Sequence, residues 1–231
     1  MVILTFLKMK NYQILRRRIL KEYHVQILDK NQKNETQILD PFFWEKAHYL
    51  TDFVSPWNNE PVLKIEFRAL WDQENFYFNF RVFDTDVYID QKDNSVDSVC
   101  NSDRVELFFR SNDELNPYYC LEIDPSTRLL DFHALPNKIF DYEWKWPENQ
   151  IKLESSADEV SFTVAGVISI ASLEKLDLIH DNVIETGVYR AKFSKDKIGN
   201  YQPTWITWVD PNTPEPNFHI ASSFGKFVLV E

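Results

Sequence analysis

Two neighbouring runs alternate apolar and polar residues with a period of two. In residues 62–70, Leu63, Ile65, Phe67 and Ala69 alternate with Lys64, Glu66 and Arg68; in residues 76–82, Phe76, Phe78, Phe80 and Val82 alternate with Tyr77, Asn79 and Arg81. Successive side chains of a strand point to opposite faces, so each run is a strand with one apolar face. The polar segment Trp71-Asp72-Gln73-Glu74-Asn75 joins them, which predicts an antiparallel hairpin with one buried face. Comparable strand signals occur at residues 23–28, 103–110, 118–124, 128–134, 151–154, 160–167, 188–195, 205–209 and 226–231. Between 124 and 128, Pro125-Ser126-Thr127 marks a further hairpin turn. Ten to twelve short strands at this spacing predict an all-β chain, an antiparallel β-sandwich of jelly-roll type.

Two short helical pieces interrupt the pattern. Phe42, Phe43, Trp44, Ala47 and Leu50 cluster with Trp44 as a core plug, and Ile170, Leu173 and Leu176 repeat at helical spacing. No repeat or flexible linker divides residues 23–231, which are expected to form a single domain. Residues 1–22 differ in composition, with six basic side chains and one acidic, and are expected to be an appendage. Their apolar run precedes the charges, the reverse of a signal peptide, and seven apolar residues cannot span a bilayer.

Charge excludes some partners. A net charge of −11 and a pI near 5.0 argue against nucleic acid and other anionic polymers, which need clustered Lys and Arg. Four glycines leave little material for a phosphate-cradling loop, and no nucleophile elbow, Walker loop, HExxH or dinucleotide glycine pattern occurs. Cys100 and Cys120 cannot define a disulfide framework; they can pair only if their strands are neighbours. The acidic segment 84–99 reads as a loop, with Asp84 and Asp86 as candidate calcium ligands, although it lacks EF-hand spacing.

The most unusual stretch is residues 204–225, TWITWVDPNTPEPNFHIASSFG, which holds two Trp, two Phe, three Pro and one His. Prolines at 211, 214 and 216 forbid helix and stiffen the chain. Flat rings on a stiff loop offer apolar area at little conformational cost, suited to a sugar face, a partner domain or a second copy of the chain. Trp205 and Trp208 are the leading candidates for stacking. Glu106, Glu122, Arg128 and Arg190 fall at outward strand positions from which charged groups can bond hydroxyls. His219, on the Pro-rich loop, is a further candidate. Glu106 and Glu122 also form a conceivable carboxylate pair on adjacent strands, the minimum a glycosidase needs.

The order of several motifs resembles the family 9 carbohydrate-binding modules and their relatives, which occur alone or attached to xylanases. The matching pieces are ILDPFFWEKA (38–47), ALWDQENFYFNFRVFD (69–84), NSDRVELFF (101–109), YYCLEIDPSTRLLDFHA (118–134) and SSFGKFVL (222–229). The resemblance implies a β-sandwich, non-catalytic binding of a plant-type polysaccharide such as xylan or glucan, structural calcium, and an extracellular or periplasmic location. It also implies a sugar gripped between two Trp rings. Near the place of one stands Cys100, while Trp205 or Trp208 inherits the other and Glu106 matches an acidic position. From the residues alone, Trp57 and Trp144 are the candidates to replace the missing ring.

Overall fold

The computed structural model describes residues 20–28, 37–58 and 61–231. Twelve strands run through them: β1 (Glu22–Ile27), β2 (Ile65–Trp71), β3 (Asn75–Val82), β4 (Arg104–Arg110), β5 (Tyr118–Ile123), β6 (Leu129–Leu135), β7 (Ile139–Asp141), β8 (Ile151–Ala157), β9 (Phe162–Ser169), β10 (Val183–Lys195), β11 (Tyr201–Thr207) and β12 (Gly225–Val230). They form one curled sheet in the order β7-β6-β5-β4-β10-β12-β1-β2-β3-β9-β8, with β11 alongside β10. The long β10 joins the two halves. Residues 183–186 pair with β12, residues 189–195 with β11, and β4 lies along the other edge. The sandwich expected from the sequence is therefore present as a folded-over sheet.

One expectation of strand direction fails. β1 runs parallel to both of its neighbours, β12 and β2, whereas the other ladders are antiparallel. The first strand is thus wedged between the last strand and the β2–β3 hairpin. That hairpin pairs Ile65 with Val82 through to Trp71 with Phe76. Leu63 precedes the strand and is exposed.

The expected single buried face also needs correction. Between the two halves lie Phe67, Phe78, Phe80, Leu107, Phe109, Val188 and Phe227, as alternation requires. The reverse faces are covered as well. On β2, β3 and β9, Leu70, Tyr77 and Val167 are capped by Ile38, Phe43, Trp44 and Ala47. Here Asp40 caps a 3₁₀ turn, Pro41–Trp44, and the Trp44 indole donates to Ile38 O (2.8 Å). On β4, β5, β6 and β10, Phe108, Cys120, Phe132 and Tyr189 lie under Phe218 and Phe224. Non-local segments supply both covers, so strand periodicity alone does not reveal them.

Two α-helical turns complete the chain, each with a serine at its N-cap: α1 (Val96–Cys100, Ser95) and α2 (Ile170–Lys175, Ser169). The first lies inside the segment expected to be loop. Asp93 accepts from Ser95 N (2.9 Å) and Ser98 Oγ (2.8 Å), which fixes the turn that starts it. No helix among the described residues is long and apolar enough to cross a membrane. Of the basic appendage, residues 1–19 lie outside the described residues. The last three belong to the fold: Glu22 opens β1, and Lys21 bonds Trp208 O (2.8 Å) and pairs with Asp52 (2.7 Å).

Trp208 is core, contrary to its candidacy as an exposed ring. Along β11 and just beyond it, Ile206 and Trp208 face the interior and Trp205 the reverse side. The Trp208 ring packs 5.8 Å from Phe227, and a Cβ on Gly225 would fall 2.6 Å from it. Truncation leaves a cavity that close packing cannot collapse, so Trp208→Ala is expected to cost ~3–5 kcal/mol, measurable by urea unfolding.

Candidate functional site

Trp205 pairs with Ala191 at the open end of β11. Its neighbours on that face are Arg104, whose guanidinium carbon lies 5.6 Å from the ring centroid, and Phe218, which meets it edge-on at 5.6 Å and 90°. The ring is half-buried, with its main chain held by Ser55 Oγ (2.9 Å). Beside it opens a groove of about 230 Å³ lined by Lys138, Phe140, Trp205, Pro216, Asn217, Phe218 and His219. It is smaller than the ~300–1,000 Å³ of sites that engulf a drug-sized ligand, which suits one small ring or a chain end.

The far wall comes from the edge of the sheet. Phe140 sits on β7, opposite Ala134 of β6. Its ring is held by Phe132 (5.4 Å), Tyr142 (5.8 Å) and His219 (4.9 Å). Asn137 and Lys138, in the β6–β7 turn, both have positive φ (64° and 60°), which sets the lysine at the rim. The floor belongs to the Pro-rich segment. Phe218 stacks on Tyr189 (4.2 Å, 14°), and the Tyr189 hydroxyl bonds Ser223. His219 Nδ1 and Tyr118 Oη lie 3.0 Å apart. Burial, aided by the Lys138 and Arg104 cations, pushes the His219 pKa down to about 3, so the ring is neutral.

Behind Trp205 lies a sealed ion cluster. Glu106 and Glu122 are register partners on β4 and β5, and Arg104 Nε lies 2.9 Å from Glu106 Oε1 and 2.6 Å from Glu122 Oε2. All three are buried. Burial, the adjacent Glu122 charge and incomplete compensation by Arg104 push the Glu106 pKa up to about 8. Arg104 is driven above its usual range: burial opposes its charge, but the two carboxylates outweigh that cost. The expectation that Glu106 and Glu122 point outward fails because the 211–224 cover lies over that face. As a glycosidase pair they are misplaced too, since they share one guanidinium inside the protein and do not face each other across a cleft.

The remaining candidates disperse. Arg190 shares the Val188 face of β10, points into the sandwich and is wholly buried. It bonds Asp84 and lies 3.3 Å from Asp103, beneath the Phe162 ring. Arg128 is committed to Asp124 (2.6 Å), Asp93 O (2.6 Å) and Ser102 Oγ (3.1 Å), so it staples the acidic segment to β6. Trp57 packs behind Phe218 and donates to Thr213 O (3.0 Å). Trp144 belongs to the interior side, against Tyr119 (5.1 Å) and Trp146 (6.1 Å). Of the nine ligand-binding candidates, Trp205 and His219 line the groove. Sequence reasoning missed Phe140, Lys138 and Asn217; the aromatic run at 140–147 was the one visible signal for this wall.

Cys100 and Cys120 are free thiols, their pKa values raised by burial, that of Cys100 to about 12. Asp84 and Asp86 do not fit a calcium site. Asp84 is paired with both Arg190 and Lys192, and Asp86 lies 3.7 Å from Lys192. Among the described residues no group of three or more His, Cys, Asp or Glu side chains is arranged to hold a metal ion.

The chain is a curled β-sandwich with an aromatic groove at one sheet edge. The chain belongs to the carbohydrate family 9 binding domain-like family, whose model matches residues 39–231. Solved structures of similar fold include a Bacteroides uniformis protein for which carbohydrate binding is itself a proposal. That likeness has a TM-score of 0.69 and 18% identity, covering 91% of this chain and 100% of the other. A family 9 module from Caldicellulosiruptor kristjanssonii is similar both in its glucose complex (TM-score 0.58, 13% identity, 91% and 96% covered) and in its cellotriose complex (0.57, 13%, 90% and 93%). No curated protein matches the chain.

The buried cluster generates a pH signature. A glutamate that ionises near 4.5 when exposed and near 8 when folded adds stability that is fully present below the lower value and is lost as pH rises through the upper one. The melting temperature is expected to decline between about pH 4.5 and 8. Glu106→Gln, which keeps the shape but cannot ionise, should flatten that decline in thermal unfolding at fixed ionic strength.

Proposed function

We propose that the groove between Trp205 and Phe140 binds a neutral sugar ring at the end of a β-linked glucan or xylan chain, without catalysis. The observation that supports this most is that a half-buried indole and a phenyl ring line one groove of about 230 Å³, with Phe218 and His219 beside them. The C–H face of a pyranose is apolar and matches such rings, while its equatorial hydroxyls reach outward. Lys138 and Asn217 at the rim supply donors and an amide oxygen for those hydroxyls. His219, neutral and held by Tyr118, acts as a wall and not as a charged contact.

In this reading Phe140 takes the place of the second indole that the family resemblance implies. Arg104 supports Trp205 from behind, with Glu106 and Glu122 anchoring it; the three position the ring and do not touch ligand. A docking role for the Pro-rich loop has less support, because Phe218 and Phe224 spend their apolar surface on Phe108 and Tyr189 of the same chain.

The Caldicellulosiruptor complexes make glucose and cellotriose the first ligands to test, with xylotriose beside them. Isothermal titration of the full chain is expected to show binding that Trp205→Ala weakens by about 30-fold or more, the scale of a central aromatic contact worth ~2 kcal/mol. Phe140→Ala should weaken it similarly while thermal unfolding stays close to wild type. Unchanged affinity in both variants would place the ligand elsewhere.

A further inference from the structure

On the face of β10 opposite Trp205, four oxygens from three aspartates surround a single ammonium. Lys192 Nζ bonds the Asp86 carbonyl and lies 3.0 Å from Asp84 Oδ2, 3.6 Å from Asp103 Oδ2 and 3.7 Å from Asp86 Oδ2. The cage is buried on one side and open on the other: the Asp84 and Asp103 side chains are 3% and 0% exposed and that of Lys192 is 12% exposed, whereas the Asp86 side chain is 90% exposed. The second oxygens of Asp84 and Asp103 are already engaged. Asp84 Oδ1 accepts from Asp86 N (2.9 Å) and Asp103 Oδ1 from Phe193 N (2.5 Å).

Carboxylates mixed with a main-chain carbonyl, drawn from a loop and a strand, are the hard oxygen donors a calcium ion takes. Here an ammonium stands among them and Arg190 flanks two of the three carboxylates. A divalent ion entering the cage would sit within a few ångströms of two fixed cations, at a Coulombic cost that the low dielectric of a buried site magnifies.

We propose that Lys192 is a built-in cation that stands among these oxygens in place of a metal ion, and that it makes this domain independent of the calcium its family resemblance implies. The cage closes a loop that matters to the groove. Residues 84–103 leave the sheet at Asp84 and return at Asp103. Between these points Tyr88 stacks on Tyr201 and accepts from Asp103 N (2.8 Å). The next residue is Arg104, the support of Trp205. Lys192 therefore fixes both ends of the segment that carries α1 and delivers the guanidinium to the binding face.

The test is thermal unfolding of the full chain in excess EDTA and in millimolar CaCl₂. Wild type is expected to melt at the same temperature in both; a clear rise with calcium would overturn the proposal. Lys192→Ser, which removes the ammonium and opens the cage, should melt lower in EDTA by roughly 5 °C or more and gain a stabilising response to CaCl₂. A folded Lys192→Ser protein that melts like wild type, or that ignores calcium, would also overturn it. Should that variant not fold, Lys192→Met, which fills the space without charge, and Lys192→Arg, which keeps the charge, decide the matter. The ammonium is required if Met lowers the melting temperature and Arg restores most of it, and dispensable if both match wild type.

Discussion

Both faces of each half of this sheet are apolar, and a sheet of that kind is stable only when both are covered. The interior face is satisfied by folding the sheet on itself, which buries Phe67, Phe109 and Val188 in one core. Two excursions of the chain must satisfy the outer faces. Residues 38–47 close one with Trp44, and residues 211–224 close the other with Phe218 and Phe224. The groove is a by-product of the second closure: it opens where the Pro-rich cover meets the short edge strand β7 and leaves Trp205 half-covered.

Charge is handled under the same constraint. The cover over β4 and β5 removes Glu106, Glu122 and Arg104 from water, so their energetics are those of a buried ion cluster whose members are worth most when all are present. On the other side of β10, Arg190 and Lys192 perform the equivalent task for Asp84 and Asp103. One strand thus has a charged cluster against each face, one behind the groove and one under the loop that leads to it. The carboxylates nearest the site, Glu106 and Glu122, are internal and share the single Arg104 guanidinium.

The strands were legible because alternation is a local property. The antiparallel pairing of β2 with β3 follows from the alternation of residues 65–82, and Trp44 as a plug follows from its apolar neighbours. The sidedness of β10 was not legible. Val188, Arg190 and Lys192 alternate with Tyr189, Ala191 and Phe193, yet periodicity does not say which set faces the interior. A charged pair of positions reads as solvent-facing until Asp84 and Asp103, roughly ninety or more residues away in the chain, are known to meet it. Glu106 reads the same way, as outward from its own strand but covered by residue 218 and beyond. For the groove, Trp205 could be named from its stiff aromatic context, whereas Lys138 and Asn217 are ordinary polar residues that gain meaning only from the turn and loop that carry them.

The wedge of β1 between β12 and β2 has a consequence for how the chain folds. Glu22 aligns with Lys226 and Gln26 with Val230, so the first of the described strands finds its partner on one side only in the last of them. Non-local pairing of that kind slows folding and leaves strand edges open to wrong partners in the interval. The ladder between β1 and β12 therefore joins the most widely separated strands of the described chain, and its closure depends on the strands between them being gathered first.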